Sequence, residues 1–145
     1  MRADFYVLSN DKPQIIWLVA CSLLEQAYVR GHTVFVFCEH AQDSSKLDEL
    51  LWTYNNLSFI PHNIQGEPQT PAPAIQIGCG PEPDGFNDIL LNLSTKIPPF
   101  FMRFQRILEI VAHEEHAKAL SRQHYKTYSS KKITMHTHNV GITSQ

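Results

Sequence analysis

Glycine is missing where a nucleotide-binding protein needs it. The 145-residue chain has six glycines, and none lies in the turn "SNDKPQ" that follows the first apolar run. Backbone amides reach a phosphate at a helix start only where such a turn is built from glycine. "GCGPEPDG" supplies Gly78 and Gly80, but Pro83 stands in the place of a third glycine, no helix is predicted after it, and no Gly-Lys-Ser/Thr occurs. The usual phosphate loop is therefore excluded. No serine sits in a Gly-x-Ser-x-Gly elbow, and nothing else positively indicates an enzyme. Cysteine is equally sparse: Cys21, Cys38 and Cys79 are far apart, odd in number and without a Cys-x-x-Cys pair. They read as reduced, buried thiols of a cytoplasmic protein, with Cys38 in the core rather than a nucleophile. No apolar run is long enough to span a bilayer. The start "MRADFYVLSN" has an acid at position 4 and no apolar stretch of the signal-peptide kind.

Acid is the other conspicuous absence. Past Glu115 there is no Asp or Glu, while Lys118, Arg122, Lys126, Lys131 and Lys132 remain. The net charge of −2 thus hides a basic end and an acidic remainder. Such an end suits either an anionic partner or a solvated helix face. With 43% apolar and 18% charged residues the chain has the balance of one globular domain.

What is present reads as an α/β fold: a mostly parallel twisted sheet flanked by helices, Rossmann-like but without its nucleotide loop. "DFYVLS" (Asp4 to Ser9) is a predicted strand. Asn10 or Asp11 caps a helix with Pro13 in its first turn, and Ile16, Ala20, Leu23 and Ala27 fall at helical spacing up to a stop at Gly31. "TVFVFCE" (Thr33 to Glu39) is apolar throughout, as in a strand covered on both faces. A helix over Ser44 to Trp52, capped by Ser44, precedes the short extended segment "LSFIPHNI" and the Pro-rich loop "GEPQTPAP". Strands follow over Ala74 to Gly80 and Asp88 to Ser94, then a short helix in "PPFFMRF", a strand in "RILEIVA" and a helix over Glu114 to Tyr128. The single domain is placed at residues 1–128, with 129–145 as a tail that adds one strand and then frays.

Eight histidines raise the question of metal. His113 and His116 in "HEEH" share a helical face, and His136 and His138 in "HTH" share a strand face. Two ligands per cluster make a weak site, adventitious at most, and no cofactor is expected. Two surfaces carry more. Trp17 belongs in the core of its helix, but Trp52 ends a helix before polar "TYNN", with Phe59 close behind. A local mini-core and a protein-binding anchor both fit that arrangement. On the last helix, Lys118, Arg122, Tyr125 and Lys126 recur at three- and four-residue steps. Cations around one ring suit a ligand with carboxylates and an aromatic end, although a solvated face is also consistent.

The words "FYVL", "LDELLW", "SFIPHN", "DILLNL" and "LSRQHYKTY", in this order from about Ala3 to Tyr128, resemble the chi subunit family of bacterial DNA polymerase III holoenzyme. The resemblance implies an accessory subunit of the clamp-loader complex with no activity of its own. It implies pairing with the psi subunit through a face containing Trp52 and Phe59, for which a DNA-repair helicase competes in some members. It also implies that Lys118, Arg122, Tyr125 and Lys126, with Val111 at the end of the preceding strand, hold the acidic, Phe-ended C-terminal tail of single-stranded DNA-binding protein. No family word falls past Tyr128. Two rivals stand beside this reading. One is a nucleotide-using enzyme, which the missing loop disfavours. The other is a direct single-stranded DNA binder, for which the basic stripe is short and the net charge of the wrong sign.

Overall fold

In the computed structural model the described residues are 1–9, 12–54, 60–67 and 73–140. Phe59 lies outside them, as do Asn10 and Asp11, and the cap position of the first helix is Lys12 rather than either of those two. One sheet of seven parallel strands runs through the molecule in the order β3-β4-β2-β5-β6-β1-β7. The strands are β1 (Arg2–Leu8), β2 (Val34–Phe37), β3 (His62–Ile64), β4 (Ile75–Gly78), β5 (Ile89–Asn92), β6 (Arg106–Val111) and β7 (Thr134–Val140). The helices are α1 (Pro13–Val29), α2 (Ala41–Thr53) and α3 (Glu115–Ser130). The predicted α/β class is the observed one. β7 falls within the segment read as a tail and pairs along its whole length with β1.

The two faces of the sheet are covered differently. Alternate residues of a strand point to opposite faces. Val34 and Val36, Ile75 and Ile77, Ile89 and Leu91 meet Val19, Leu23 and Leu24 of α1 and Leu47 and Leu51 of α2 in one core. On the other face Ala3, Phe5, Phe35, Leu90 and Ile107 meet Tyr128 of α3 and the rings of Phe86, Phe101 and Phe104. On this face Phe86 and Phe100 lie against Phe35 of β2, and Phe101 lies against Tyr128. The short helix predicted in "PPFFMRF" is a single 3-10 turn, Phe101–Arg103, and Phe100 packs edge-on against Phe37.

Local chemistry explains most boundaries. α1 ends as predicted at Gly31, whose φ of 82° is the left-handed conformation that glycine adopts freely. The N–H of His32 donates to the Ala27 carbonyl and that of Gly31 to the Tyr28 carbonyl, satisfying the last turn. Gly78 is required by a close approach: a Cβ there would lie 2.3 Å from the Gln65 side chain. Gln65 crosses it to donate to the Pro81 carbonyl.

Three expectations need correction. α2 begins at Ala41 with His40 in the cap position, so Ser44 is a buried residue of the first turn and not its cap. Cys79 is exposed, unlike Cys21 and Cys38, because it follows the last residue of β4 beyond the cover of the helices. Trp17 is half-buried rather than core, with the Lys46 ammonium 4.8 Å from its ring centroid.

Candidate protein-interaction surfaces

The first surface is built on α3. Glu114 caps this helix by accepting from the His116 N–H. The inward side of α3 carries His124 and Tyr128, both buried. Beneath them lies Glu109 of β6, a buried carboxylate. It accepts from the Tyr128 hydroxyl at 2.5 Å, from the Asn92 amide at 3.0 Å and from His124 Nδ1 at 3.1 Å. The other imidazole nitrogen, Nε2, lies 2.9 Å from the Thr95 carbonyl oxygen. Burial acts to lower the His124 pKa, but the bond to Glu109 and its charge outweigh it, and the net shift is upward. Burial and then Glu109 push the Tyr128 hydroxyl far above its usual value. This network pins α3 to the sheet.

With the inward side fixed, Lys118, Arg122, Tyr125 and Lys126 fall along the flank of the same helix. Tyr125 is 43% exposed and its ring lies 5.7 Å from that of Phe5 on β1. Val111, at the end of β6, is buried in the same cluster as Phe5 and in register with Val7. Arg122 and Lys126 are exposed and Lys118 partly so. Among the described residues, none of these three side chains is engaged in an ion pair or side-chain hydrogen bond. Tyr125 and Val111 thus share Phe5 as a neighbour, and Lys118, Arg122 and Lys126 lie on the same helix as Tyr125.

The second surface lies on the other side of the sheet, near the β3 edge. Trp52, in the last turn of α2, is 56% exposed. Its ring lies 4.7 Å from that of His62, which is buried. His62 Nδ1 lies 2.6 Å from the Ile60 carbonyl oxygen. Its Nε2 lies 3.1 Å from the Asp48 carbonyl oxygen and 3.2 Å from the Asp48 carboxylate. Burial raises Asp48 above the usual carboxylate value, with His62 pulling the other way. The imidazole thus supports the indole from beneath. Whether Phe59 extends this surface lies outside the described residues.

Sequence reasoning missed both supporting networks and a third. Asp4 of β1 is fully buried and receives Arg2 at 2.6 Å, Arg106 at 2.7 Å and His138 Nε2 at 2.8 Å. Burial acts to raise its pKa, but these three donors together lower it to about 2. A carboxylate inside an apolar strand run, as in "ADFYVL" and "RILEIV", was the available signal. His138 also stacks on Tyr6, ring centroids 4.8 Å apart. The "HTH" pair is thus partly committed to the fold, and no group of three or more His, Cys, Asp or Glu is placed to hold a metal among the described residues. His113 and His116 are both exposed.

Comparison with known proteins adds the following. The family model for DNA polymerase III chi subunit, HolC, matches residues 1–136. The DNA polymerase III subunit chi of Pseudomonas aeruginosa is 32% identical over 139 residues, covering 96% of each chain. That of Haemophilus influenzae is 31% identical over 140 residues, 96% of this chain and 97% of the other. That of Escherichia coli K12 is 31% identical over 132 residues, 88% and 90% respectively.

Proposed function

The chain belongs to the DNA polymerase III chi subunit family, and from that premise we propose that it is a non-catalytic accessory subunit of the clamp-loader complex. In this reading it works in the cytoplasm during DNA replication. Through the psi subunit it links the complex to the C-terminal tail of single-stranded DNA-binding protein. The α3 flank takes the tail. Arg122 holds the terminal carboxylate, because a guanidinium donates two parallel hydrogen bonds where an ammonium offers a point charge. Lys118 and Lys126 face the aspartates upstream. Tyr125 and Val111 line the slot for the terminal ring. The Trp52 face, extended by Phe59, takes psi, and a DNA-repair helicase competes for it.

The observation that supports this most is the contrast along α3. Its inward side is hydrogen-bonded to Glu109, while its flank presents three cations without ion-pair partners among the described residues, beside a half-exposed tyrosine. The test is a pull-down with intact single-stranded DNA-binding protein and with a version lacking its last residues. Capture of the intact protein alone supports the assignment. Equal capture of both removes it.

A further inference from the structure

α3 covers one face of β1 and β6, and on the opposite face a polar cavity opens beside the C-terminal half of α1. Its volume is about 240 Å³, and Arg30, His32, Tyr6, Arg106 and His138 are among the residues that line it. Arg30, Arg106 and Tyr6 keep donor capacity after their bonds within the fold are counted, whereas the second ring nitrogens of His32 and His138 donate only from a protonated imidazole. Arg106 gives Nε to Asp4 and Nη2 to the Tyr6 hydroxyl, which leaves Nη1 uncommitted among the described residues. The Tyr6 hydroxyl accepts that bond and keeps its own proton to donate. His32 uses Nδ1 on Asp88 and His138 uses Nε2 on Asp4, so each has a second ring nitrogen. Arg30 has no side-chain partner among the described residues.

Charge points the same way. Arg30 and Arg106 are among the lining residues, and Asp4 and Asp88, bonded to the lining groups Arg106, His138 and His32, are already engaged by these donors of the fold. The opposing effect is the negative end of the α1 dipole, worth about 0.3–1 kcal/mol at a surface. It is blunted because the carbonyls of Gln26, Ala27 and Tyr28 already accept backbone N–H groups. We propose that this cavity is an oxyanion site that takes a phosphate group. A carboxylate offers two oxygens in one plane. The donors here come from the α1–β2 turn and three strands, and a tetrahedral oxyanion can meet them from several sides. The phosphate belongs either to a nucleic-acid strand passing this face or to a free small anion. The site is independent of α3 and of Trp52.

The test is a titration of the tag-free, isotope-labelled full chain followed by amide and arginine side-chain NMR signals at constant ionic strength. Inorganic phosphate and a twelve-residue oligothymidylate are the two probes. Phosphate should move the signals of Arg30, His32 and Tyr6 in the millimolar range, and Arg30→Gln should weaken that response about tenfold, the size expected for one charged hydrogen-bonding group. Arg30→Lys, which keeps charge without the fork, should fall between the two. Arg103→Gln, at an exposed pair with Glu82, should change nothing. Saturation of the same signals at far lower oligomer than phosphate concentration assigns the phosphate to a strand, and similar concentrations assign it to a free anion. The proposal is overturned if these signals stay still, if they move equally in Arg30→Gln, or if only signals around Arg122 and Lys126 respond.

Discussion

Two aromatic side chains stand out from the surface, and they are mounted in the same way in opposite electrical surroundings. Trp52 lies over His62, and Tyr125 lies against Phe5. Beneath each helix a buried polar group ties backbone and side chains together: His62 under α2 and Glu109 under α3. The difference is charge. α2 carries Asp43, Asp48 and Glu49 against Lys46, whereas α3 carries Lys118, Arg122 and Lys126 against Glu115. One scaffold thus offers an aromatic anchor in an acidic setting at one place and in a basic setting at another. Electrostatic complementarity selects partners and guides encounter more than it adds affinity. The two surfaces should therefore recruit different partners and be separable by mutation.

The largest way to break the comparison is to remove a mount. Glu109→Ala strands the Tyr128 hydroxyl, His124 and the Asn92 amide without their shared acceptor. Losing one partner of such a buried network costs about 3–5 kcal/mol. Urea unfolding should show that loss, and any folded fraction should lose α3-dependent binding before Trp52-dependent binding. A loss below about 1 kcal/mol would mean that the network does not hold α3.

Removing the anchors themselves comes next. Trp52→Ala should weaken the psi complex by about 2 kcal/mol or more, roughly thirtyfold, with the fold intact and tail binding unchanged. At 56% exposure the indole contributes too little burial for its loss to unfold the chain. Titration calorimetry against psi measures it. If the variant unfolds, the indole belongs to a local core and the face is misassigned.

The pH dependence separates the networks by sign. Asp4 is depressed from 3.8 to about 2, so its contribution of about 2 kcal/mol is present above pH 4 and lost as pH falls toward 2. His124 is raised, so its contribution is full below its unfolded value and fades as pH rises through the folded one. Stability measured from pH 2 to 9 should rise through the acid limb and decline gently as pH passes above the ordinary histidine value. Asp4→Asn should flatten the acid limb alone.

The smallest expected effect is at the rim. Exposed ion pairs contribute about 0–1 kcal/mol, so Lys118→Ala should cost the tail complex little. Raised salt should weaken the complex while leaving an apolar remainder.

How much of this was legible depended on how local the signal was. The α/β class followed from apolar strand runs alternating with helical spacing, and the end of α1 from a single glycine. The start of α2 did not, because Ser44 is as good a cap by type as the true position is a poor one, and burial of Leu47 and Leu51 fixed the helix regardless. The exposed cations and Tyr125 of α3 were readable as one stripe because the helix repeats its chemistry every turn. Phe5, under Tyr125, was invisible: the two lie near opposite ends of the chain, and no spacing along it encodes their contact. The same holds for Asp4 and His138, which are 134 residues apart.

The account turns on α3 as a site for a carboxylate and a ring, and fluorescence polarisation with a labelled tail peptide tests that most directly. The wild-type chain should bind the full peptide, and removal of its terminal Phe should abolish measurable binding. Arg122→Ala should reduce binding by about 2 kcal/mol, far more than Lys118→Ala. Binding of the Phe-less peptide as tight as that of the full one, or an Arg122→Ala variant that binds like wild type, would contradict it.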